Sequence, residues 1–138
     1  MSYDFIVYTR TNRIPEPARL AVELSSRAPW LALPSSFDLR VASGYVPLAT
    51  TGFEVSLAPI TAAEIEDHLA ALKEAGEEED DHLAILRACD TCVTFHCKDD
   101  NEISAARIVA GALAILSGGF LCDPQKDVTV EGRYLEVA

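Results

Sequence analysis

The sequence predicts an α+β fold. A single mixed or antiparallel sheet carries about three helices, with a ferredoxin-like βαββαβ portion followed by a C-terminal αββ extension. Three observations lead there. The chain has 138 residues and is 49% hydrophobic, the size and composition of one globular domain spanning residues 1–138. Segments that alternate apolar and polar residues interleave with segments of helical period. Residues 102–117 read as a helix that is apolar around its circumference, which places it in the interior as the element the sheet is laid against.

The elements follow in order. Tyr3 to Tyr8 (YDFIVY) is aromatic and β-branched with a nearly continuous apolar run, so it predicts a first, central strand. Pro15 and Pro17 introduce a helix to about Ser26, because a first-turn proline gives up no intrahelical hydrogen bond, and its inner stripe would be Leu20, Ala21 and Leu24. Phe37 to Val41 alternates and predicts a strand; Ser43-Gly44 a turn; Tyr45 to Leu48 and Phe53 to Leu57 two further strands. Thr61-Ala62-Ala63-Glu64 has the capping-box pattern, so a helix starts there with Ile65, Leu69 and Leu72 inward and Gly76 at its end. Asp80 to Ala88 predicts a second helical segment, and Cys92 to Cys97 (CVTFHC) a strand. Asp99, Asp100 or Asn101 caps the interior helix, Glu102 to Ser117, which Gly118-Gly119 ends. Its bulky residues Ile103, Ile108, Val109, Leu113, Ile115 and Leu116 would be buried, and its small ones, among them Ala105, Ala106 and Ala110, allow close approach to a neighbour. Phe120 to Cys122, Val128 to Val130 and Tyr134 to Val137 complete the sheet.

Composition and charge exclude several function classes. The N-terminus has no basic region followed by an apolar stretch, so the expectation is a cytoplasmic protein with no secretory signal. The longest run without a polar residue, Ile108 to Leu116, is far shorter than the roughly 20 residues a membrane helix needs. Of the net charge of −11, all of it falls on residues 53–104, which hold three basic and fourteen acidic side chains. Such a field repels nucleic-acid phosphates and anionic lipid and favours a basic protein partner. The candidate contact residues are Glu74, Glu77, Glu78, Glu79, Asp80 and Asp81.

Four cysteines in a reducing compartment are read as thiols. Cys89, Cys92, His96 and Cys97, with Cys122 elsewhere, are the residue types zinc prefers. On a strand, however, Cys92 and His96 face one side and Cys97 the other, so convergence needs a bend, and small sulfur side chains filling a strand is the simpler account. The C-x-x-C pair of Cys89 and Cys92 follows a helix instead of starting one and so lacks the electrostatic help that makes such thiols reactive. There is no G-x-S-x-G elbow and no glycine-rich phosphate loop, and His68 and His82 fall on acidic helices. No metal and no cofactor is expected, and the residues favour no catalytic role.

Ala106 to Gln125 (ARIVAGALAILSGGFLCDPQ) resembles a segment of small uncharacterised bacterial α/β proteins, some of which are similar to immunity proteins. That resemblance implies a toxin-neutralising binding role and supplies no catalytic residues. The sequence thus favours a non-enzymatic interaction module with a basic protein as partner, of immunity type where the resemblance is followed. The alternative is a small enzyme or ligand- or metal-binding domain with a pocket near Cys92, His96 and Cys122. Exposed strand edges are compatible with a homo-oligomer.

Overall fold

A computed structural model describes residues 3–31, 38–40, 43–47, 52–74, 84, 86–123 and 128–130. They form a six-stranded sheet with three helices of two turns or more: β1 (Tyr3–Thr9), α1 (Pro17–Arg27), β2 (Ser43–Pro47), β3 (Gly52–Pro59), α2 (Ala62–Glu74), β4 (Thr91–Cys97), α3 (Asp100–Ser117), β5 (Phe120–Asp123) and β6 (Val128–Val130). The strand order is β2-β3-β4-β1-β5-β6 and every pairing is antiparallel. The α+β class stands.

The topology inside that class departs from the ferredoxin-like expectation. β1 and β2 are separated by β3 and β4 and run in opposite directions, so β1-α1-β2 is not a split β-α-β unit. The split unit lies later in the chain. β4 and β5 both pair antiparallel with β1, one on each side, so they are parallel to each other and α3 is the crossover between them.

α3 forms as it does for local reasons. The Asp99 carboxylate accepts the Glu102 backbone N–H at 2.9 Å and closes the first turn. Gly118 ends the helix at φ 65°, a conformation that L side chains rarely take. Ala105, Ala106, Val109, Ala110, Ala112 and Leu113 are fully buried, and Val109 and Leu113 contribute roughly 1.5–3 kcal/mol each by burial. Ile103, Ile108 and Leu116 are only partly buried at its flanks. The innermost face is therefore built mostly of alanine, as the small-residue pattern anticipates, with Val109 and Leu113 inside as expected and Ile103, Ile108, Ile115 and Leu116 less buried than expected.

α1 and α3 share one face of the sheet, where Leu20, Leu24 and the α3 alanines pack on Phe5, Val7, Phe53, Val55, Val93, Phe95 and Leu121. On α1 the buried positions are Leu20 and Leu24, with Ala28 just beyond; Ala21, expected inside, is exposed. A spacing of four residues keeps one row in register with the core, and Ala21 lies off that row. On the opposite face Ile65 and Leu69 of α2 join Ile60, Leu86, Tyr8 and Phe120. The α2 cap forms half of the expected box: the Glu64 N–H donates to Thr61 Oγ1 at 3.2 Å, but the Glu64 carboxylate accepts the Thr61 hydroxyl at 3.1 Å in place of the Thr61 backbone N–H.

Two further expectations are corrected. Residues 38–40, assigned to a strand, form a turn in which the Asp38 carboxylate accepts the Arg40 backbone N–H at 2.9 Å and its guanidinium at 2.8 Å. An aspartate bonding two residues ahead takes a donor that a ladder would need. Ser43-Gly44, read as a turn, instead opens β2 by pairing with Ser56 and Val55. The expected elements at Gly76, Tyr134 to Val137 and most of Asp80 to Ala88 lie outside the described residues; within the last, residues 84, 86 and 87 are helical. No helix among the described residues is long and apolar enough to cross a membrane.

Candidate functional site

The acidic candidates lie at the end of α2. Glu74 is its last residue, while Glu77, Glu78, Glu79, Asp80 and Asp81 fall outside the described residues. On the described part of α2, Ile65 and Leu69 are buried and the neighbouring Glu64, Glu66 and Asp67 are exposed. Arg87 approaches Glu66 at 4.0 Å with both side chains more than half exposed, a contact worth little in water.

The cysteine and histidine candidates do not converge. On β4, Thr91, Val93, Phe95 and Cys97 are buried and Cys92, Thr94 and His96 half-buried on the other face. Cys92 and His96 are four residues apart on one straight strand, about 13 Å. Cys122 pairs with Ile6 on the far side of β1 from Cys92, whose partner is Tyr8, so two strand spacings, about 10 Å, separate their backbones. Among the described residues no three of His, Cys, Asp and Glu gather closely enough to hold a metal ion. Burial pushes the Cys89 thiol up to about 11 and Cys97 up to about 12, and raises Cys92 as well, so all three stay protonated at neutral pH. His96 Nδ1 instead meets the Asp4 carboxylate at 2.5 Å across the β1–β4 pair, and Glu54 is its partner on β3. The pair is part-exposed at 35% and 41%, a surface contact on the polar end of the sheet.

A cavity lies elsewhere, where β1 ends. It measures about 280 Å³ and is lined by Thr9, Arg10, Arg13, Ala84, Ala88, Cys89, Ser117 and Gly118. Three short segments meet there. The 3₁₀ turn Thr11–Arg13 continues directly from β1 and is fastened to the start of β4. The Asp90 carboxylate accepts the Thr11 N–H at 2.8 Å and the Thr11 and Thr91 hydroxyls at 3.1 and 2.9 Å, and the two hydroxyls contact each other. Those bonds hold the Asp90 carboxyl below the usual carboxylate range, led by the Thr11 backbone N–H. Asp90 N–H in turn donates to Thr9 O at 3.0 Å. α3 delivers Ser117, whose hydroxyl donates back to Leu113 O at 2.7 Å, and then Gly118 and Gly119. Gly119 is required by closeness: a Cβ there would stand 2.6 Å from the Tyr8 carbonyl oxygen.

The residues Thr9, Arg10 and Arg13 were not among the candidates read from sequence. The signal was present but faint: two arginines three apart, just after a central strand, in a strongly acidic chain. No family model, no curated protein and no solved structure matches the chain, and so none of the three comparisons bears on the resemblance of residues 106–125.

Proposed function

We propose that this protein is a non-enzymatic interaction module, of immunity type in its fullest form, that meets a basic partner surface through the acidic side chains of residues 53–104. The observation that carries the reading is the division of α2. Its apolar row is committed to the sheet, while Glu64, Glu66 and Asp67 are exposed and lead in sequence toward Glu74 and the run Glu77 to Asp81. A concentrated negative field speeds encounter with a positive surface and is screened within about a Debye length, roughly 8 Å at physiological salt.

The test is kinetic. Association with a candidate basic protein, such as one encoded beside this chain, is followed by stopped flow across ionic strength. The expected result is an association rate that falls steeply with salt and is slowed in a variant carrying Glu77→Gln, Glu78→Gln, Glu79→Gln, Asp80→Asn and Asp81→Asn. A rate indifferent to salt and to those five changes rules the acidic surface out.

A further inference from the structure

We infer that the cavity at the end of β1 binds the oxyanion group, phosphate or carboxylate, of a small molecule, with Arg10 and Arg13 as its cationic partners. The inference is independent of the acidic surface proposed above and rests on different residues.

Four observations converge. The volume, about 280 Å³, lies just below the roughly 300–1,000 Å³ of drug-sized ligand sites, which suits a smaller molecule. Two arginines line it, with Arg13 Nη1 beside Gly118, and neither makes an ion pair with a carboxylate among the described residues; the acids that do pair with arginine there, Glu23, Asp38 and Glu66, serve Arg27, Arg40 and Arg87. Thr9, also in the wall, is 1% exposed, and its Oγ1 is buried without a hydrogen-bond partner. An unsatisfied buried hydroxyl is destabilising, and native proteins tolerate few of them. Finally, the turn that carries both arginines is tied down at Thr11 by Asp90 and Thr91, so the cations sit on an ordered segment.

Other charges bear on the cavity and have to be weighed. The C-terminal end of α3 at Ser117 and Gly118, and the helical turn ending at Ala88, present carbonyl groups equivalent to roughly half a negative charge each. Asp90 is nearby but does not line the space, and its carboxylate is turned onto Thr11 and Thr91. Two full positive charges outweigh two half charges within the wall itself. Arginine also matches phosphate and carboxylate with paired donors, which the helix ends cannot do.

Inorganic phosphate and acetate serve as probes on the full chain, each compared with chloride at the same ionic strength. Thermal stability and two-dimensional amide spectra are the readouts. The expected result is that at least one probe raises the melting temperature above the chloride control and moves the amide signals of Arg10, Arg13 and Gly118. A response to phosphate alone assigns a phosphorylated ligand, and one to acetate alone a carboxylate. Either Arg10→Gln or Arg13→Gln should weaken that binding on the order of tenfold, as expected for loss of a charge-assisted hydrogen bond. Thr9→Val keeps the side-chain shape and should weaken binding several-fold with no drop in melting temperature, which separates a ligand contact from a folding defect. No stabilisation beyond chloride, or stabilisation undiminished when Arg10 and Arg13 are both replaced, overturns the inference.

Discussion

Replacing Gly119 by alanine tests how tightly α3 is joined to the sheet. A Cβ at this position meets the Tyr8 carbonyl oxygen at 2.6 Å, the Ser117 hydroxyl at 3.0 Å and Thr9 Cβ at 3.1 Å. The hydroxyl can rotate away, but the carbonyl belongs to the backbone of a strand paired on both sides. Tyr8 is held between Cys92 and Phe120, so relief requires shifting β1, or separating β5 from it. Overpacking of this kind costs about 1–3 kcal/mol, and the rigid obstacle puts Gly119→Ala near the upper end. For a chain of this size that is a fall in melting temperature of about 6–12 °C. Gly118→Ala is the internal control. Its φ of 65° is unfavourable for alanine, but a Cβ there meets nothing nearer than Arg13 Nη1 at 3.7 Å, so only the left-handed penalty of about 1–2 kcal/mol applies. Urea unfolding followed by circular dichroism measures both. If Gly119→Ala unfolds within about 0.5 kcal/mol of the parent, the close approach of the α3–β5 junction to Tyr8 is refuted.

Ala110→Leu places three extra carbons on the fully buried face of α3 and is expected to lower stability by about 1–3 kcal/mol; a melting temperature equal to the parent's would contradict that placement. Asp99→Ala removes the acceptor for the Glu102 N–H and should cost about 1 kcal/mol in urea, while Asp99→Asn or Asp99→Ser should recover most of it. Burial raises Cys89 and Cys97 from 9.0 to about 11 and about 12, which makes folding unfavourable to their thiolates. That contribution to stability is fully present below pH 9 and is lost as pH rises from there through the folded-state values. Alkylation at pH 8 should accordingly be slow in the native protein and fast in urea; rapid native labelling of Cys97 would show that the strand is not buried as described. Asp90 works in the opposite direction: its lowered value stabilises the fold above the ordinary aspartate range, and the effect is lost as acidification passes through the depressed value, which a pH series on Asp90→Asn against the parent would reveal.

Elements whose information is local were legible in the chain. The threonine cap at Thr61, the proline at the first turn of α1 and Gly118 ending α3 each need only neighbouring residues and stand where the pattern put them, while among the three caps the sequence offered for α3 the structure selects Asp99. Phe37 to Val41 misled because alternation describes a side-chain sequence and not who accepts the backbone donors; at residues 38–40 the Asp38 side chain takes that role. Strand order was illegible for a different reason. A β-α-β stretch of sequence is the same whether one strand or two come between its ends, and only pairing across 92 residues, as between Asp4 and His96, decides it. The cavity shares that limitation, since its wall draws on Thr9, Arg10 and Arg13, on Ala84, Ala88 and Cys89, and on Ser117 and Gly118, and no window of sequence contains all three groups.

The position of that cavity follows from the one crossover in the second half of the chain. α3 must carry the chain from β4 to β5 over β1, and β5 starts pairing at Phe120 with Tyr8, only three residues after the helix ends at Ser117. With no room for a loop, Gly118 has to reverse the chain and Gly119 has to pass against the β1 backbone, so the end of α3 is held beside the end of β1. β1 cannot continue beyond Thr9 as a strand in that position: Thr9 pairs with Thr91, the first residue of β4, and β5 has already turned away at Phe120. The chain instead folds into the Thr11–Arg13 turn, which the Asp90 carboxylate anchors. Arg10 and Arg13 are thereby set against the carbonyl end of a helix, where cations are favoured whether or not a ligand is present. A structural role as helix-end cations and a role in holding an oxyanion thus share the same residues, and they differ in what Thr9 should do. Helix-end electrostatics leave its buried hydroxyl unsatisfied and predict that Thr9→Val stabilises the protein without touching anion binding, whereas a ligand site predicts that the same variant loses affinity.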